Sequence, residues 1–130
     1  MHKKSSWLLL MVLVLAVNLH AQKVDKEGKT WLDQYTEPAQ INVNGIWLTD
    51  DWGDVTLNQI EGSREVTGDG DGWRIDGVVS GSMVFLLFSH KGNVEYSAEL
   101  VAEGGNKLTG AYTGKLMVER SKKKPMLLTK

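Results

Sequence analysis

From Gly45 onward the chain alternates apolar and polar residues with period two, in short runs of about five to eight residues. The runs are Gly45–Thr49, Asp54–Ile60, Arg64–Gly68, Trp73–Ser80, Met83–Ser89, Val94–Glu103, Lys107–Thr113 and Leu116–Arg120, with a last one at Met126–Thr129. Turn-forming clusters separate them: Glu61-Gly62-Ser63, Asp69-Gly70-Asp71-Gly72, Ser80-Gly81-Ser82, Lys91-Gly92-Asn93 and Gly104-Gly105-Asn106. Glycine suits such turns because it takes positive φ without steric cost. Within the runs, Val55, Leu57 and Gln59 share one face, as do Trp73, Ile75, Gly77 and Val79, and Val94, Tyr96, Ala98 and Leu100. One apolar and one polar face is what an antiparallel sheet with one wet side requires. The pattern predicts an all-β domain, an antiparallel up-and-down meander of about eight short strands closed into a small barrel. A two-sheet β-sandwich obeys the same alternation and is the alternative.

Three glycines, Gly68, Gly77 and Gly110, fall inside runs, where they mark bulges or the bends that let a small barrel close. One run breaks the alternation. Met83-Val84-Phe85-Leu86-Leu87-Phe88 is apolar on both faces. Either another element covers its outer side, or it forms an exposed apolar patch suited to a protein partner.

The N-terminal residues read as an address. His2, Lys3 and Lys4 precede Trp7–Leu19, an apolar stretch of roughly 13 residues, and small Ala21 follows. That is the length of a signal-peptide core and short of the ~20 residues a membrane span needs. The expected organisation is a signal peptide over 1–21, cleaved after Ala21, a leader over 22–44 and a β-barrel domain over 45–130. Export to the periplasm or the extracellular space follows, with no stable membrane insertion after cleavage. In the leader, Trp31 and Tyr35 are four apart and share a face of one helical turn. That turn is expected to fold against the open end of the barrel as a plug, or to project as an arm toward a partner.

Charge and cysteine content narrow the function. The full chain carries a net charge of −1, and loss of Lys3 and Lys4 takes it to about −3. A nucleic-acid binder would present a basic field instead. There is no cysteine, so neither disulfides nor a thiol nucleophile is available. The run Arg120-Ser121-Lys122-Lys123-Lys124 reads as a solvated end that blunts an edge strand.

Gly45-Ile46-Trp47, at the start of the first strand of a compact meander, resembles the opening motif of calycin-type barrels: lipocalins, avidins and small periplasmic protease inhibitors. The resemblance implies that Trp47 closes one barrel end, with a basic side chain from the last strand lying over it. Arg120 is the residue expected there. A second stretch, Trp52-Gly53-Asp54-Val55-Thr56-Leu57-Asn58-Gln59, then Val66-Thr67-Gly68, then Ile75-Asp76-Gly77-Val78-Val79-Ser80-Gly81, is similar to a pattern of uncharacterised bacterial exported proteins (W-G-x-V-x-L-x-Q, V-x-G, I-x-G-x-V-x-G). That pattern implies a fold and carries no activity.

Catalytic chemistry finds little support. Beyond residue 21 the one histidine is His90, beside Lys91, and no Gly-x-Ser-x-Gly elbow is present. One histidine does not make a zinc site unless carboxylates supply the rest. Asp69-Gly70-Asp71-Gly72 lacks the spaced ligands and distal Glu of a calcium loop, and turn chemistry explains it. Asp50, Asp51 and Asp54 surround Trp52 as a hairpin tip or as a binding site for a cation or sugar. No catalytic residue, metal ligand or cofactor is therefore assigned. The leading expectation is a binder of a small apolar ligand in the barrel mouth, lined by Trp47, Trp73, Phe85, Tyr96 and Tyr112. The second is a packed module that binds protein, such as a periplasmic protease inhibitor. The third is a weak hydrolase with paired carboxylates.

Overall fold

The computed structural model describes residues 25–130. The expected signal peptide and its cleavage site concern residues outside this range. A short helix, α1 (Lys26–Asp33), precedes eight strands: β1 (Gly45–Leu48), β2 (Asp54–Gln59), β3 (Glu65–Gly70), β4 (Trp73–Ser80), β5 (Met83–His90), β6 (Asn93–Ala102), β7 (Lys107–Gly114) and β8 (Lys124–Thr129). Each strand pairs antiparallel with the next, and β8 returns to β1, so the meander closes into a barrel. Closure excludes the sandwich. The closing ladder is the shortest of the eight, with Leu48 opposite Thr129 as its one register pair.

Alternation sends one face of every strand inward. Trp47, Leu57, Ile75, Leu86, Phe88, Leu100, Leu108 and Leu128 are fully buried there, packed with Val55, Val66, Val79 and Val84. Eight strands enclose an interior that side chains of this size fill. Glycines make room for the curvature. A Cβ on Gly68, Gly77 or Gly110 would run into the carbonyl oxygen of Thr56, Phe85 or Glu99 on the neighbouring strand.

The hairpins are tighter than the turn clusters suggest. Asp69 and Gly70 belong to β3, opposite Arg74 and Trp73. The turn is Asp71-Gly72 alone, both at positive φ (48° and 85°), and Lys91-Gly92 repeats it (51° and 82°). Two consecutive positive φ values match the right-handed twist of the flanking strands. Leu116–Arg120 is not a strand. Lys115 takes φ 58° and turns the chain into a loop, and the last strand starts at Lys124. A register shift between Phe88 and Ser89 sets Tyr96 opposite Phe88 but Val94 opposite Ser89. Val94 is thereby turned to the outer face, away from Tyr96, Ala98 and Leu100.

Helix α1 explains the doubly apolar fifth strand. Asp25 caps it, its carboxylate accepting from the Glu27 N–H at 2.9 Å. The helix lies on the outer face of the barrel, where Trp31 and Leu32 pack with Phe85, Leu87, Val94 and Met117. Gly28 lets it come close: a Cβ there would sit 2.8 Å from Leu87 Cδ1. The Trp31 indole N–H donates to the Met117 carbonyl at 3.1 Å. Tyr35 stacks on Phe85 with ring centroids 3.5 Å apart. Burial, and then the Glu99 carboxylate, raise the Tyr35 phenol above its ordinary pKa. The Trp31–Tyr35 turn therefore covers a barrel wall and does not plug an end.

Residues 39–44 cross one end of the barrel. Buried Gln59 anchors them: its Oε1 accepts from the Val43 N–H at 2.8 Å, and its Nε2 donates to the Ile41 and Ser63 carbonyls at 3.1 and 2.9 Å. Trp47 donates its indole N–H to the Val43 carbonyl at 2.8 Å. The cation over Trp47 is Lys130, whose Nζ lies 4.7 Å from the ring centroid and donates to the Asn44 carbonyl at 2.7 Å. Arg120 does not take that place, because it lies in the β7–β8 loop.

Candidate functional site at the barrel mouth

The opposite end is closed by an aromatic cluster. Trp73 opens β4, Phe88 lies near the end of β5, Tyr96 near the start of β6 and Tyr112 near the end of β7. The meander brings these strand ends to one rim. The register then aims all four rings the same way: Tyr96 sits opposite Phe88, and Ala98, on the same face as Tyr96, opposite Tyr112.

Trp52 completes the cluster from the β1–β2 loop. The Thr49 hydroxyl accepts from the Trp52 N–H at 2.9 Å and donates to the Gly53 carbonyl at 2.8 Å, and Gly53 takes φ 69°. This tight loop drops the indole into the mouth. Its ring lies 4.7 Å from Phe88, 4.9 Å from Tyr96, 5.2 Å from Tyr112 and 5.7 Å from Trp73. Most of these contacts are edge-to-face or tilted, the favourable arrangements for aromatic pairs. Phe88 is fully buried beneath, whereas Trp52, Trp73, Tyr96 and Tyr112 keep part of their surface in water.

Two grooves flank the Trp52 indole. One, of about 340 Å³, is bounded by Trp52, Trp73, Tyr96, Tyr112 and Thr113, with Asp51 on one side and Lys122 and Lys124 on the other. The other, of about 330 Å³, runs along the β8 edge between Asp50 and Pro125, Met126 and Leu127. Trp52 and Asp51 border both, so the indole is the partition between them.

Of the five residues expected to line a ligand site, three meet here: Trp73, Tyr96 and Tyr112. Trp47 is at the far end, under Lys130, beside a separate groove that includes Ile41 and Leu108. Phe85 is outside the barrel, beneath Trp31 and Tyr35. It is Phe88, three residues on and of opposite parity, that faces the mouth. Trp52 escaped the expected site because its aspartates mark a hairpin tip. A tryptophan within such a polar loop was the available signal that the loop folds inward.

Among the described residues no three His, Cys, Asp or Glu side chains converge as a metal site. The carboxylate with a raised pKa, Asp76, lies on the outer face of β4, opposite Leu87. Comparison with protein-family models, with curated proteins and with solved structures gives no match for this chain.

Proposed function

We propose that this protein is a small binding protein that takes a compact, ring-bearing apolar ligand at the barrel mouth, against Trp52, Trp73, Tyr96 and Tyr112. The observation that carries this reading is the convergence of four partly exposed aromatic side chains, from three strands and one loop, on one groove of about 340 Å³. The interior below is filled, so recognition takes place on the rim and not in a deep calyx. Aromatic side chains beside a few charged and polar groups can both hold a small molecule and fix its orientation. The signal-like stretch Trp7–Leu19 supports export, and with it a ligand met outside the cytoplasm. Protein binding through the Met83–Phe88 strand has less support, since α1 covers the outer face of that strand.

N-phenyl-1-naphthylamine, a neutral fused-ring dye, is a suitable probe. Its fluorescence is expected to rise on binding while the protein's tryptophan emission is quenched. Tyr112→Ala, which removes one wall of the groove, should weaken binding about tenfold, the scale of losing one well-packed aromatic contact. Absence of binding, or equal binding by a folded Tyr112→Ala variant, overturns the reading.

A further inference from the structure

We propose that the mouth selects an anionic ring-bearing ligand, a small aromatic carboxylate or sulfonate, whose charge is met by Lys122 and Lys124. This rests on the mouth being the binding site. Three observations carry it.

The first is register. Lys124 lies opposite Tyr112 in the β7–β8 ladder. Directly opposed residues project to the same face of a sheet, so the lysine stem rises beside the Tyr112 ring. The second is anchorage. The Thr113 hydroxyl donates to the Lys122 carbonyl at 2.8 Å, tying the start of the basic segment to the end of β7. Lys122 is thus held at the groove although it precedes the strand. The third is charge balance. Neither lysine enters an ion pair among the described residues, where the ion pairs are Arg74 with Asp76 and Lys107 with Glu103. The single carboxylate of the groove, Asp51, belongs to the opposite lip.

The groove is therefore polarised, negative on the β1–β2 side and positive on the β7–β8 side, with an aromatic floor between. A neutral ring gains from the floor alone. A ring bearing one negative group gains the same contact and charge-assisted hydrogen bonds from two ammonium groups. A cationic ring meets two positive charges and one negative. Exposed ion pairs are individually weak, so the expected discrimination is modest, about tenfold for two lysines acting together.

The test compares two dyes with the same ring system. 1-Anilinonaphthalene-8-sulfonate carries a sulfonate that N-phenyl-1-naphthylamine lacks. Affinities are measured by fluorescence titration of the wild-type protein, of Lys122→Met/Lys124→Met and of Lys122→Arg/Lys124→Arg. Thermal melts establish that each variant is folded. The sulfonate is expected to bind about tenfold tighter than the neutral dye. Salt should narrow the preference, because exposed charges are screened. The methionine pair should abolish it and the arginine pair should keep it. Equal affinities in the wild type, or a preference that survives the methionine pair, overturn the anionic selectivity and leave the mouth reading standing. Failure of both dyes to bind overturns both.

Discussion

Asp76 carries a charge that the fold disfavours. It lies on the outer face of β4, 8% exposed, between Thr67 of β3 and Leu87 of β5. Burial pushes its pKa up, and the neighbouring Arg74 guanidinium, 3.0 Å away and itself partly exposed, offsets only part of that. A carboxyl whose pKa is higher folded than unfolded favours the folded state while protonated, and that contribution is lost as pH rises from the ordinary carboxylate range through the raised value. Asp76→Asn mimics the neutral form at every pH. Its melting temperature relative to wild type is therefore expected to climb as pH is raised from about 3.5 to neutrality. A difference that stays flat or falls contradicts the assignment. At this scale the sequence was legible where parity had one solution. Trp47, Trp73, Tyr96 and Tyr112 fall on inward positions because their strands alternate cleanly. In β5 both faces are apolar, so alternation had no means of telling Phe85 from Phe88. The basic residue over Trp47 was misplaced for a related reason. Finding Lys130 requires the position of β8, and Leu116–Arg120 mimics a strand until Lys115 turns the chain.

Among the described residues, helix α1 and the β4–β6 wall share a core outside the barrel. The doubly apolar β5 demands such a cover, and the paired Trp31 and Tyr35 supply it. A cover was one of two outcomes written in the residues, an exposed apolar patch being the other. The docking place was not, because an amphipathic turn of two aromatic residues fits an open end as well as a wall. Nor was the bulge that turns Val94 outward toward the helix, since one extra residue in a strand leaves no mark in an alternating pattern. Trp31 anchors the contact through its hydrogen bond to Met117 and its edge-on packing with Phe85, ring centroids 5.9 Å apart. Trp31→Ala should cost about 3 kcal/mol in chemical denaturation, the low end for deleting a buried tryptophan, because the short helix can undock without opening the barrel. Limited proteolysis should then cut between residues 25 and 40 before any strand is cleaved. Cleavage that starts in the strands would mean that helix and barrel unfold as one unit.

The closed barrel has one thin place. Seven ladders join strands adjacent in sequence, while β1 and β8 meet through the single pair Leu48 and Thr129. Farther along β8, on the same parity as Thr129 and Leu127, stands Pro125. The Lys130 N–H donates toward the β7 side, to the Asn106 carbonyl, so by alternation Pro125 presents its missing N–H to the open side. That edge is thus protected from pairing with a foreign strand. The Lys130 side chain reinforces the seam from the other end, bridging to Asn44 and Trp47. Lys130→Met should speed hydrogen exchange of β1 and β8 amides about fivefold, the scale of one exposed cation–π contact, and leave β4–β6 unchanged. Uniform acceleration in all strands would show that the seam is no separate weak point.

The same arrangement orders the making of the molecule. During synthesis each hairpin finds its neighbour within a few residues, so a curled sheet grows strand by strand from its N-terminal side. The last join links residue 48 to residue 129, and no earlier strand can substitute for β8. Contacts this far apart in sequence form late and slowly. Until then the nascent sheet carries a raw edge along β1, beside the exposed Ile46 and Leu48. That interval, more than any moment in the finished barrel's life, is when an unpaired strand edge lies open to another copy of the chain.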